Sequence, residues 1–310
     1  MNTMKTTVAF ATVAALALTG TACNSASGGG SDLKIGMSVS TLNNPFFVQL
    51  KEGAQAEAKA AGAELTVTDA QNDASQQANQ LQNFTSQNVK SVIVNPVDSD
   101  AAGPAVKAVN NANIPVVAAD RGVNKAEIAT TVASDNVAGG KLAAKELAAQ
   151  LGGKGKVVVL QGQAGTSAAR ERDRGFTQGI KEFPGIKVVA KQPADFDRAK
   201  GLDVMTNLMQ SNSGVTGVYA QNDEMALGAA KALGSKAGKS VKIVGFDGTP
   251  DGLAAVKSGK LAATIAQQPK ELGKLAMQNA LKLAKGKKVN SEVKVPVKVV
   301  TEKNAAEFSS

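Results

Sequence analysis

Amides and carboxylates recur at comparable places along this chain. Asn44, Asn95, Asp120-Arg121, Asn222, Asp247 and Gln267 each follow an apolar run of strand length directly or lie a few residues past it. Aromatic rings stand close by in sequence: Phe46, Phe47, Phe196 and Phe246. Amides and carboxylates hydrogen-bond hydroxyls, and ring faces cover the C–H faces of a pyranose or furanose. Together they suit a small neutral polyol held by a few well-placed polar contacts. Taken singly, each Asn or Asp reads equally as a turn residue or helix cap, and the Phe46-Phe47 pair as core. The recurrence of the pattern argues for a site.

The elements that must carry these residues alternate. The apolar runs are 33–39, 64–68, 91–95, 115–120 and 128–133, then a second series, 156–160, 186–190, 217–220, 242–246 and 261–266. Segments of helical spacing separate them. In one, Val48, Ala54, Ala58 and Ala61 precede the stop at Gly62; in another, Leu142, Leu147 and Leu151 precede Gly152-Gly153. Strand–helix alternation predicts parallel sheets with helices on both faces, and two series predict two similar α/β domains. In a parallel sheet the carboxyl ends share one edge, where ligands of open α/β sheets bind. The stretch from Ser40 to Phe47 shows this locally: Asn44 is placed to cap a helix that begins at Pro45.

Composition removes most catalytic chemistries. The 310 residues contain no His, no Trp and one Cys. Imidazole bases, Ser-His or Cys-His pairs, His metal ligands, internal disulfides and thiolate clusters are therefore excluded. Paired carboxylates remain available for acid–base work. The net charge of +9 is spread over many helices without a basic, aromatic-interleaved block, so no nucleic-acid partner is expected. The basic run Arg170-Glu171-Arg172-Asp173-Arg174 follows Gly165-Thr166-Ser167 and leaves two readings open. It is a solvated helix face with local pairing, or one Arg turns inward and donates its fork to a ligand hydroxyl. The preceding glycines lack the Lys of a phosphate loop.

The N-terminus reads as an export signal. Lys5 precedes an apolar core from Val8 to Leu18, too short to span a bilayer as a mature helix. Small residues lead to Cys23, and a flexible Ser/Gly tract follows. The arrangement resembles a bacterial lipoprotein signal, with residues 1–22 removed, Cys23 lipidated and residues 23–32 a tether. Gly20 stands where that pattern prefers Leu. An ordinary secretory signal is the other reading. Either way the protein is exported; the lipoprotein reading anchors it to the outer face of the cytoplasmic membrane.

Longer motifs add a family resemblance. STLNNPFF at 40–47, Val94-Asn95-Pro96, Ala119-Asp120-Arg121, AGTSAARER at 164–172, QPADFDR at 192–198, AQNDEMALGA at 220–229, VGFDGTPDG at 244–252 and KLAATIAQ at 260–267 resemble the bacterial ribose-binding proteins of ABC sugar uptake. The similarity runs from about Ile35 to Val300. It implies a type I periplasmic binding protein fold: two Rossmann-like α/β domains with parallel sheets, joined by a three-crossing hinge. The domains would be 33–134 with 268–297, and 135–267 with 298–310. It further implies that Phe46, Phe47 and Phe196 sandwich a sugar. Asn44, Asp120, Arg121, Arg172, Asn222, Asp247 and Gln267 would bond its hydroxyls and ring oxygen, with Asn95 and Phe246 lining the site. The expected protein is a monomer without cofactor or metal that binds D-ribose and delivers it to a permease. Alternatives are a binder of xylose, allose or galactose, or a sugar-processing enzyme using Asp120 and Asp247. A repressor core of the same fold would need an N-terminal helix-turn-helix, where this chain has an export signal. The C-terminal tail is longer than the family pattern, and its role stays open.

Overall fold

Each of the ten apolar runs forms a strand. In the computed structural model, which describes residue 7 and residues 33–308, the strands are divided between two six-stranded sheets. The first sheet takes β1 (Lys34–Val39), β2 (Glu64–Asp69), β3 (Ser91–Val94), β4 (Val116–Ala119) and β5 (Thr130–Ser134). The second takes β6 (Lys154–Gln161), β7 (Gly185–Pro193), β8 (Val215–Ala220), β9 (Lys242–Asp247) and β10 (Ala263–Ala266). The last two strands, β11 (Glu292–Val295) and β12 (Lys298–Thr301), are divided one to each sheet. The orders are β11-β5-β4-β3-β1-β2 and β12-β10-β9-β8-β6-β7, so the two sheets are wound alike. All pairings are parallel except β10 with β12, which is antiparallel. That exception departs from the expected all-parallel sheets. Only Pro296 and Val297 separate β11 from β12, too few residues for the crossover that a parallel return would need.

The chain passes between the sheets three times: after β5, between β10 and the last long helix, and between β11 and β12. The central strands β3, β4 and β10 are buried along their whole length, as expected for sheets covered on both faces. The helices pair closely. α1 (Pro45–Ala60) lies against α9 (Pro269–Ala284), and α4 (Asn136–Gln150) against α5 (Ser167–Ile180). Glycine makes the second approach possible: a β-carbon at Gly140 would collide with the carbonyl of Arg172, and one at Gly175 with that of Val137. Arg172 thus rides on a helix fixed at backbone distance from its neighbour. Past β12, a short 3₁₀ turn, Ala305–Phe308, buries Ala305 against the core of the second sheet. Residues 1–6, 8–32 and 309–310, including Cys23 and most of the expected signal and tether, lie outside the described residues. No helix among the described residues is long and apolar enough to cross a membrane.

Candidate ligand-binding site

The two sheets meet at their carboxyl edges. Both strand orders reverse there, between β1 and β3 in one sheet and between β6 and β8 in the other, where crevices form. Each crevice is spanned by an amide. Asn95, directly after β3, accepts from the Ser40 N–H through Oδ1 (3.1 Å). Gln221, directly after β8, accepts from the Gly162 N–H through Oε1 (2.8 Å). Between the edges lies a cavity with about 260 Å³ of empty space, lined by Asn44, Phe46, Phe47, Asp120, Arg121, Ala168, Arg172, Phe196, Asn222, Asp247 and Gln267. A larger groove, about 1550 Å³ with its open solvent, runs from Arg198 to Lys260 on the second lobe. Its charged side chains, Arg198, Asp203, Lys231 and Lys260, are all exposed, so nothing in it imitates the buried polar convergence of the smaller cavity.

On the first-sheet side, Asn44 caps α1 by accepting from the Phe46 N–H (2.9 Å). Phe46 and Phe47 meet edge to face, centroids 5.2 Å apart. Arg121 lies over Phe47 at 5.1 Å and over Phe196, from the opposite lobe, at 5.5 Å. Its guanidinium donates to the Pro96 carbonyl (3.0 Å), and its Nε stands 3.7 Å from Asp120 Oδ2. Asn95 has no exposed surface; it donates to the Ala119 carbonyl (3.1 Å) and reaches Asp120 Oδ2 at 3.5 Å.

On the second-sheet side, Arg172 donates from Nε to Asn136 Oδ1 (2.9 Å) and from Nη1 to the Gln221 carbonyl (2.6 Å). The same Nη1 stands 3.5 Å from Asp247 Oδ1, and the guanidinium lies 3.8 Å above the Phe246 ring. Gln267 donates to Asp247 Oδ1 (2.6 Å). Asn222 caps α7 (Asp223–Leu233), accepting from Met225 N–H, and donates to the Phe196 carbonyl (3.2 Å). Gly162 leaves room for the Phe196 ring, which a β-carbon there would strike. Phe196 itself adopts φ +60°, Asp120 φ +65° and Asp247 φ +125°. Unfavourable backbone at three residues around one cavity is the kind of strain that collects at binding sites.

The electrostatics are balanced and dry. Two carboxylates face two guanidiniums, so the cavity favours neither an anion nor a cation. Burial raises the Asp120 carboxyl above its usual range despite Arg121 and Arg172 beside it. Burial raises Asp247 well above 3.8, against Arg172 and with help from the charges of Asp223 and Asp120. It lowers Arg121 to about 10, against the attraction of Asp120. Three buried polar atoms of the lining have no hydrogen-bond partner: Asp120 Oδ1, Arg121 Nε and Gln267 Oε1. Two accept and one donates, a complement to hydroxyls, which do both.

The periplasmic binding protein domain matches residues 35–288. The ribose import binding protein of Escherichia coli is 52% identical over 86% of this chain and 90% of its own. The ribose import binding protein of Bacillus subtilis is 47% identical over 89% and 90%. Among solved structures, an ABC transporter solute binding protein from Bacillus halodurans with bound myo-inositol superposes with TM-score 0.85 and 36% identity, covering 91% of this chain and 99% of that one. The chain belongs to the periplasmic binding protein family. It is an extracytoplasmic solute-binding protein of the type I fold and not an enzyme.

For this binding protein, the cavity gathers ten of the twelve residues picked out in the sequence. The other two stand behind its wall: Asn95 ties Ser40 to the Asp120 loop, and Phe246 underlies Arg172. Only Arg172 of the three arginines at 170–174 turns inward; Arg170 and Arg174 are exposed. Sequence reasoning passed over Ala168 in the lining, and Asn136, Gln221 and Asp223 behind it. AGTSAARER and AQNDEMALGA contain three of these, but nothing in residue type separates a wall-building Gln or Asp from a solvated one.

Proposed function

We propose that this protein captures D-ribose between its two sheets and delivers it to an ABC permease. The carrying observation is the set of unpartnered buried atoms, Asp120 Oδ1, Arg121 Nε and Gln267 Oε1, around a cavity of about 260 Å³ walled by Phe46, Phe47 and Phe196. The named activity of relatives 52% and 47% identical supports ribose in particular. In this reading the rings cover the faces of the sugar. Asn44, Asp120, Arg121, Arg172, Asn222, Asp247 and Gln267 bond its hydroxyls, while Asn95 and Phe246 hold the bonding groups in place. The lobes 33–134 with 268–297, and 135–267 with 298–310, close on the sugar by hinge motion at the three crossings. Division of the strands between the two sheets supports that partition. A ligand that touches both lobes favours the closed state by its differential affinity.

A sugar that lacks or inverts one hydroxyl leaves a buried charged group unpaired, costing about 1–3 kcal/mol. Calorimetric titration against ribose, xylose, arabinose, allose and galactose is therefore expected to rank ribose first by roughly 10-fold to 100-fold, at ~1.4 kcal/mol per decade. Equal affinity for xylose or a hexose overturns the ribose assignment. A relative solved with bound D-allose makes that hexose the informative competitor.

We further propose a lipid anchor at Cys23, supported by the small residues before it and the Ser/Gly tract after it. In a fractionated bacterial host the full-length protein is expected in the membrane and its Cys23→Ser form in the soluble extracytoplasmic fraction. Equal membrane retention of both removes the anchor.

A further inference from the structure

Asp223 is the first residue of α7 and has no exposed surface, yet it does not line the sugar cavity. Its carboxylate has no cationic partner among the described residues. It accepts four hydrogen bonds instead: at Oδ2 from the Gly248 N–H (2.9 Å), the Thr249 N–H (2.9 Å) and the Thr249 hydroxyl (3.2 Å), and at Oδ1 from the Thr264 hydroxyl (2.6 Å). Three donors converge on Oδ2 and one on Oδ1, an acceptor-only role that suits the ionised carboxylate. The two backbone donors belong to the two residues that directly follow Asp247. Two glycines make room for the group. A β-carbon at Gly245, in β9, would strike Asp223 Oδ1, and one at Gly252, in α8 (Pro250–Lys257), would strike Oδ2. Asp247, at φ +125°, lies where residues with side chains rarely go, and its bend is held from below by these bonds.

We propose that Asp223 is a positioning residue for sugar binding: by fastening Gly248 and Thr249 it holds the Asp247 carboxylate in the cavity. The inference rests on the reading of Asp247 as a sugar ligand. A plain loop anchor would need no charge, since Thr249 already caps α8 through the Gly252 N–H. The charge has its own consequence. Asp247 is faced by Arg172 from α5, Asp120 from the end of β4, Asp223 from α7 and the neutral Gln267 after β10. Asp223 is faced by Asp247 and by Thr249, Thr264 and the Gly248 N–H, and burial pushes it up to about 6. The Asp223 charge therefore raises Asp247. Without it, Asp247 ionises at lower pH.

The test compares Asp223→Ala and Asp223→Asn in the full chain, titrated calorimetrically with D-ribose across pH. Amide hydrogen exchange at Gly248 and Thr249, measured without sugar, accompanies it. Asp223→Ala is expected to weaken ribose by roughly 10-fold to 100-fold and to speed exchange at both amides. Asp223→Asn keeps an oxygen for those amides and loses the charge. It is expected to recover most of the affinity and to move the acid-side loss of binding to lower pH than in the parent. Unchanged exchange in Asp223→Ala, or an acid limb that stays where it was in Asp223→Asn, overturns the proposal. A parent that fails to bind ribose overturns the ribose reading instead, and the sugar-free exchange comparison still decides whether Asp223 holds the loop.

Discussion

The two lobes place the same residue type at the same strand end and support it differently. Asp120 follows β4 and Asp247 ends β9, and these strands hold corresponding positions in the two sheet orders. Each acid has a guanidinium beside it. In the second lobe Arg172 comes from a distant helix and is fixed within its own lobe by Asn136, the Gln221 carbonyl, Asp247 and the Phe246 face. In the first lobe Arg121 is the next residue in the chain, held by the Pro96 carbonyl and by two rings. One of those rings, Phe196, belongs to the other lobe. Of the cavity-lining residues, this half holds two unpartnered buried atoms, Asp120 Oδ1 and Arg121 Nε, and the other half one, Gln267 Oε1. On the proposed reading the second lobe is the more preorganised half of the receptor, and the first would be completed by closure and by ligand. Preorganisation on one side lowers the ordering cost of binding.

The strongest test of that contrast is Asp247→Gly. On the proposed reading it removes a charge-assisted ligand contact from the preorganised half, and ribose affinity is expected to fall by roughly 100-fold or more. It also removes a β-carbon from φ +125° and a carboxylate that burial disfavours. The sugar-free protein is therefore expected to melt at about the same temperature, relief of strain of order 1–3 kcal/mol being set against the loss of the buried partner of Arg172. A melting temperature that falls together with affinity would mean that Asp247 holds the lobe together and is not a strained binding group.

Acidification separates the two halves by the order in which they take up protons. Both carboxyls are raised above 3.8 by burial, Asp247 well above it, against the attraction of Arg172 and with the added charges of Asp223 and Asp120. A carboxyl raised in the sugar-free protein is protonated as pH falls through that raised value. Sugar hydroxyls that donate to the ionised form then compete with the proton. Ribose affinity is accordingly expected to fall from neutral to mildly acidic pH, by up to about tenfold per pH unit for one coupled proton. In Asp247→Asn the residual affinity should lose most of this dependence, and in Asp120→Asn it should keep it. A flat profile in the parent would mean that neither acid accepts from the ligand in its ionised form.

How much of this was legible follows from where each signal originates. The ten apolar runs were readable because fully buried strands such as Val92-Ile93-Val94 and Val116-Val117-Ala118 leave no polar position to obscure them. β11 and β12 were missed: Glu292-Val293-Lys294-Val295 and Lys298-Val299-Val300-Thr301 are four-residue edge strands carrying Lys, which blunts edges and erases the apolar run. The face assigned to α1 was only partly right. Ala54 and Ala58 are buried, but Val48 is half-buried and Ala61 is exposed, because Phe46, Phe47, Leu50 and Gly53 set the buried stripe. Gly53 is there because a β-carbon would strike the Lys270 carbonyl of α9, a constraint visible only when both helices are in place. For Asn44 and Asn222 the sequence supports a cap reading and a site reading alike. Both asparagines cap their helices and both line the cavity, since a cap at a strand's carboxyl end stands at the crevice.

The smallest expected effect concerns the seam where the two lobes touch each other directly. The Gly122 N–H donates to Ser167 Oγ (2.9 Å), the Ser167 N–H to Ser99 Oγ (3.0 Å) and the Ser99 N–H to the Gly165 carbonyl (3.1 Å). Ser99 and Gly122 belong to the first lobe; Gly165 and Ser167 lead into α5, the helix that carries Arg172. These bonds exist only when the lobes are together, so they favour closure whatever the cavity holds. Ser167→Ala deletes one acceptor and strands one N–H, a loss of about 1 kcal/mol. Apparent affinity scales with the population of the competent state, so ribose should bind roughly 5-fold more weakly. The contacts to the sugar itself are untouched, and the radius of gyration at saturation should match the parent's in small-angle scattering. A Ser167→Ala protein that binds ribose as tightly as the parent would place the whole closing force in the ligand, and the first lobe would then be completed by sugar alone.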